Sequence, residues 1–150
     1  MAVSIKAKFT NAGIRKVIAE KKKAIEQAIL SRLQRVAERF VSNARTFGNY
    51  KDQTGNLRSS IGYVILKDGK QLSSSFEGSQ PAGRAKAQEA IKASGAYGAR
   101  GFVLIVVAGM EYAAAVESKG YDVLTASSIL AKDQLEKAMQ ELKDKVKRMK

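Results

Sequence analysis

From Ala12 to Thr46 the chain runs without a proline, and its apolar residues return at helical spacing. Ile14, Ile18, Ile25, Ile29, Leu33, Val36, Phe40, Ala44 and Phe47 fall on one face of a single long helix. Thr10 or Asn11 can cap its start, because a short side-chain oxygen satisfies free helix N–H groups. Gly48 is a natural stop. At about 1.5 Å per residue the helix would be roughly 50 Å long. A chain of 150 residues has no compact body that wide. Part of the helix therefore has to project or bend, and the rest of the chain has to build its core along the remainder.

Two periodicities supply that core. Val3, Ile5, Ala7 and Phe9 alternate with polar residues, a short strand pattern with one buried face. Ile61 to Lys67 reads as a strand, Asp68-Gly69 as a hairpin turn, and Gln71 to Glu77 as the returning strand. Phe102 to Ala108 is continuously apolar, which predicts a strand covered on both faces and hence central in its sheet. A short helix, Glu111 to Ser118, should end near Gly120, with a last short strand over Tyr121 to Leu124. Thr125 or Ser127 then caps a helix that runs on to the C-terminal residues. Leu135, Met139, Leu142, Val146 and Met149 form a narrow stripe at spacings of four and three. That stripe fits packing within the domain and a seam between subunits equally well.

Gly78 to Gly101 reads differently. It holds five of the twelve glycines and the one proline, Pro81, with few large apolar residues. The expectation is a mobile insertion, helical in part between Arg84 and Ala93, that contacts another chain or stays disordered. The chain is thus expected to be one α+β domain over residues 1–150, with a small, mostly antiparallel mixed sheet packed against a long N-terminal helix and a C-terminal helix.

Composition excludes most catalytic chemistry. Zero cysteines remove disulfides, thiolate nucleophiles and sulfur-ligated metals, and fit a reducing compartment or an assembly without cross-links. Zero histidines remove the commonest general base and metal ligand. Glu111 and Glu117 are the one carboxylate pair beside an apolar strand, but six residues separate them, so they do not share a helix face. Gly95, Gly98 and Gly101 lack the Gly-Lys-Ser/Thr ending of a phosphate loop. The expectation is a protein that is not an enzyme and carries no cofactor or metal. Residues 1–10 form no apolar block of the signal-peptide kind, and no apolar run is long enough to span a bilayer.

Charge points to partners. The chain carries 27 basic and 14 acidic residues, a net charge of +13, which calls for a negatively charged neighbour. The N-terminal third holds most of the excess. Lys21, Arg32, Arg35 and Arg39 share one edge of the long helix's apolar face. That edge is a solvated border, or a contact with phosphates, or a contact with an acidic protein ring. No helix-turn-helix, zinc finger or interleaved aromatic motif accompanies it.

Two segments carry a signature. In Thr54-Gly55-Asn56-Leu57-Arg58-Ser59-Ser60-Ile61, Gly55 permits a tight turn, Leu57 and Ile61 are apolar anchors, and Arg58 is a planar donor suited to a carboxylate. In Glu111 to Tyr121, Tyr112 and Val116 stand four apart on one helix face, followed by Glu117 and Gly120. The first segment resembles the T-G-x-L-R-x-S-I element of tailed-phage tail-completion proteins, also called minor tail or head–tail joining proteins. The second resembles their Y-A-x-x-V-E-x-G element. The order of a long helix before the first element and an apolar strand before the second is also similar.

The resemblance implies a structural virion protein at the phage neck, assembled in the host cytoplasm as a ring of commonly six copies. Its partners would be other copies of itself, the head connector or portal side, and the tail tube or tail terminator, with contact to DNA in the channel and none to membrane. Lys21, Arg32, Arg35, Arg39, Arg58 and Glu117 would then face subunits or partners, Arg58 and Glu117 through ion pairs. Gly55, Leu57, Ile61, Tyr112, Val116 and Gly120 would serve packing. The alternative is a basic nucleic-acid-binding protein.

Overall fold

The first helix, α1 (Asn11–Phe47), starts where extended Thr10 accepts a hydrogen bond from the Gly13 N–H at 3.1 Å. It belongs to a computed structural model that describes every residue except 2, 3, 5–7, 77, 149 and 150. The alternating pattern from Val3 to Phe9, and Met149 of the C-terminal stripe, fall largely or wholly outside the described residues.

Burial divides α1 in two. Leu33, Val36, Ala37, Phe40, Val41 and Ala44 are buried, whereas every residue from Asn11 to Ala24 is exposed. About 20 Å of helix therefore projects, with Ile14, Val17 and Ile18 bare to solvent. Phe47 at the other end is also exposed, one turn past the last buried residue.

A single turn of helix, α2 (Asn56–Ser59), leads into a hairpin of β1 (Ile61–Lys67) and β2 (Lys70–Ser75). The hairpin turns through Asp68 at φ 49° and Gly69 at φ 76°, the left-handed pair that a two-residue turn needs to match strand twist. Helix α3 (Pro81–Ala93) follows, then a short 3₁₀ turn, and then β3 (Phe102–Ala108). Helices α4 (Ala113–Ser118) and α5 (Thr125–Arg148) complete the chain.

The three strands pair in the order β2-β1-β3, antiparallel throughout, so the fold is α+β with a small sheet between helices. On one side Ile61, Tyr63 and Ile65 of β1, with Phe102, Leu104, Val106 and Ala108 of β3, pack toward α1. On the other, Val64 and Leu66, with Val103, Ile105 and Val107, pack around Ile91 of α3. Helix α5 returns beside α1, and Ala131 and Leu135 join the α1-side core. The C-terminal stripe thus packs within the subunit at Leu135, and Leu142 is buried.

Three expectations change. First, among the described residues β1 is the central strand and β3 lies at an edge. The unbroken apolar run in β3 reports helices on both faces, which is independent of having neighbours on both edges. Second, Tyr121 to Leu124 is no strand, since it only links α4 to α5. Third, the 78–101 segment is not excluded from the core, because α3 buries Gly83, Ala87 and Ile91. Small residues are what let α3 come close. A Cβ on Gly109 would collide with the α3 backbone at Ala87, and one on Gly83 with the Asn56 carbonyl.

Candidate functional site

The first motif is locked to the C-terminal end of α1. Gly55, at φ 73°, turns the chain into α2, and Asn56 N–H donates to Thr54 Oγ1 at 3.3 Å. Leu57 and Ile61 are fully buried, and Ser60 Oγ donates to the Leu57 carbonyl at 2.7 Å. These contacts aim Arg58 at α1. Its Nε donates to the Arg45 carbonyl at 2.9 Å, and its Nη2 reaches the Gly48 carbonyl at 3.4 Å. The last carbonyls of a helix have no intrahelical partner, so a guanidinium there satisfies them and meets the negative end of the helix dipole.

Arg45 reciprocates. Its Nε donates to the Arg58 carbonyl at 3.2 Å and its Nη2 to the Ile61 carbonyl at 2.7 Å. Two guanidinium groups thus clasp each other's backbone. The Arg58 guanidinium also lies 4.9 Å from the centroid of the Tyr50 ring, and the Arg58 N–H donates to Asp52 Oδ2 at 2.8 Å. Tyr50 is buried, and its hydroxyl finds no hydrogen-bond partner among the described residues. Burial pushes its pKa up, opposed in part by the positive field of Arg58.

The second motif anchors α5. Glu117 Oε1 accepts from the Thr125 N–H at 2.9 Å, from Thr125 Oγ1, and from the Leu124 N–H at 3.4 Å. Burial pushes the Glu117 carboxyl up. The hydrogen bonds from Thr125 and Leu124 outweigh it and leave the group below the usual carboxylate range. Asp122 Oδ1 accepts from the Ala126 N–H at 3.0 Å, so two carboxylates sit at the positive end of α5. Gly120 holds φ 83° in the intervening turn. Val116 packs against the α1-side core, while Tyr112 remains 41% exposed.

Both motifs meet at the end of α1. Asn49, Tyr50 and Lys51 share an open hollow of about 380 Å³ with Val116, Lys119 and Tyr121. The Asp122 N–H donates to Asn49 Oδ1 at 2.7 Å. Arg58 and Glu117, expected at a subunit boundary, each make several hydrogen bonds inside their own chain. Neither meets the other.

The basic edge lies elsewhere. Arg32, Arg35 and Arg39 line a cleft of about 260 Å³ between α1 and α5, opposite Lys137 and Glu141. Lys21 is not among them. It stands on the projecting part of α1, eleven residues before Arg32, or about 16 Å along the axis. Sequence reasoning missed Arg45, Tyr50 and Lys137. Arg45 had one usable signal, since it sits in the last turn of α1, where cations meet free carbonyls.

Among the described residues no helix is long and apolar enough to cross a membrane. Compared with protein-family models, curated proteins and solved structures, the chain matches none.

Proposed function

We propose that this chain is a structural virion protein of a tailed phage, placed at the neck, where copies form a ring joining the head connector to the tail. The observation that carries the reading, beside the two motifs, is an edge of β3 that no strand covers among the described residues. The Asp68 N–H bonds the Gly101 carbonyl at 2.9 Å and the Gly109 N–H bonds the Ser60 carbonyl at 3.2 Å. Antiparallel alternation then turns the N–H and C=O groups of Phe102, Leu104, Val106 and Ala108 away from β1. No described strand covers them. An apolar edge of seven residues is a template for another chain, and proteins that stay single protect such edges with charge, proline or bulges. This edge carries none of these.

A closed ring covers every such edge once. Copies would meet through the β3 edge, while the projecting part of α1 reaches the connector on one side or the tail tube or terminator on the other. Assembly, with no chemical step, is the whole activity.

The test is Val106→Pro. Proline at an outward-facing N–H of an edge strand keeps the monomer's own ladder but blocks strand addition. Native mass measurement should find a ring for the parent chain and monomer for the variant, while Val106→Ala, which gives up the same packing against α1 but keeps its N–H, should keep the ring. A parent chain that stays monomeric at all concentrations, or a variant that keeps the ring, sinks the reading.

A further inference from the structure

The cleft between α1 and α5 is cationic along its length. Arg32, Arg35, Arg39 and Lys137 face one carboxylate in its lining, Glu141. Four cations against Glu141 and against Asp133, which pairs with Lys137, leave two net positive charges there. Lys137 is engaged by Asp133 at 2.8 Å, so the three arginines dominate. Arg32 Nη1 donates to the Ala28 carbonyl at 3.1 Å, which lays that guanidinium along α1. Arg35 and Arg39 are exposed and meet no carboxylate within ion-pair distance among the described residues.

The track is longer than the cleft. Lys21 stands on the same edge of α1, about three turns before Arg32. Lys145 and Arg148 follow Glu141 on the same face of α5, and both are exposed. From Lys21 to Arg39 the cations span roughly 27 Å of α1.

We infer that this cleft binds the phosphate backbone of duplex nucleic acid. Guanidinium groups fork onto phosphate oxygens, and none of these three ties α1 to α5 through an ion pair among the described residues. The lining has no aromatic side chain, so it offers no platform for stacking the bases of a single strand. An acidic protein is the competing occupant. The cleft gives it little apolar surface, since Val36 and Ala138 are its one valine and one alanine, and the rest is polar. Interfaces between proteins bury an apolar centre that this lining lacks. The inference rests on the cleft alone and holds for a monomer as for a ring.

The experiment measures fluorescence anisotropy of the full chain with a labelled 20-base-pair duplex between 50 and 200 mM salt. Three phosphate contacts predict a log–log salt slope of about −3. Arg35→Ala with Arg39→Ala should flatten that slope by about 2 and weaken binding at 50 mM at least about tenfold. Arg84→Ala with Lys92→Ala removes the same charge from exposed positions on α3 and should change affinity less than about twofold. Equal melting temperatures exclude misfolding, because all four residues are exposed. Equal loss in both double variants would reduce the cleft to diffuse charge and overturn the inference. So would tighter binding to a single-stranded oligothymidine or to polyglutamate than to the duplex.

Discussion

Arg58→Ala separates a fold-holding role from an interface role. The substitution removes three contacts. The Nε bond to the Arg45 carbonyl at 2.9 Å is charge-assisted and half-buried, worth about 1–1.5 kcal/mol. The Nη2 bond to Gly48 at 3.4 Å is long and adds about 0.5 kcal/mol. The stack on Tyr50 at 4.9 Å adds about 0.5–1 kcal/mol. The sum is roughly 2–3 kcal/mol. A chain of 150 residues unfolds with an entropy of about 0.3 kcal/mol/K, so the melting temperature should fall by about 6–9 °C.

Thermal unfolding followed by far-ultraviolet circular dichroism reads the shift, and native mass measurement of the same samples reads assembly. Arg58→Lys should recover less than half of the loss, because an ammonium can neither fork onto two carbonyls nor stack flat on a ring. The reasoning fails if Arg58→Ala melts within about 1 °C of the parent and yet no longer assembles. That pattern would assign the guanidinium to a neighbouring subunit.

Three further predictions follow the same logic. Ile91→Ala should cost about 2–4 kcal/mol in urea unfolding, since Ile91 is buried between α3 and the sheet, whereas a segment outside the core would tolerate it within about 0.5 kcal/mol. Glu117→Ala should cost about 1 kcal/mol by uncapping α5. With the Glu117 pKa lowered in the fold, its contribution is present above about pH 4.5 and lost as pH falls through the folded value, so Glu117→Gln should show a flatter acid limb of melting temperature against pH. Tyr50→Phe removes a buried hydroxyl that has no hydrogen-bond partner among the described residues and should leave stability unchanged or raise it by up to about 1 kcal/mol. With the Tyr50 pKa raised above 10.0 in the fold, the parent loses stability as pH climbs beyond about 10, and the melting temperature of Tyr50→Phe should fall less steeply there.

Periodic signals were legible and spatial ones were not. Helix α1 differs from its expected span by one residue at each end, because a long apolar stripe with Thr10 before it and Gly48 after it leaves few alternatives. The Asp68-Gly69 turn fell where its left-handed backbone requires. The place of β3 at an edge was not readable, since sequence records coverage of faces and not strand order. Helix α3 was misjudged because it packs through one large apolar residue, Ile91, with Gly83 and Ala87, too little to leave an apolar stripe in the sequence. Arg58 stood out in its motif as a donor for a carboxylate at a subunit contact, but its partners inside the chain were not readable. They are carbonyl oxygens, and any residue type supplies those.

That last point bears on what the two motifs mean. A guanidinium is needed at Arg58 because nothing else reaches two carbonyls and stacks on Tyr50. A carboxylate is needed at Glu117 because it accepts from Thr125 and Leu124 together. Gly55 and Gly120 are needed for positive φ. Each demand arises inside one chain, at the junction of α1, α2, α4 and α5. A motif set by such demands identifies a fold more strictly than it identifies a contact surface. On the proposed reading, contact falls to the features that the junction leaves open: the β3 edge, the projecting turns of α1 and the cationic cleft. Substitutions in the motifs should therefore act on stability first and on assembly only through it. Substitutions on the open surfaces should act on assembly or nucleic-acid binding while the melting temperature stays put.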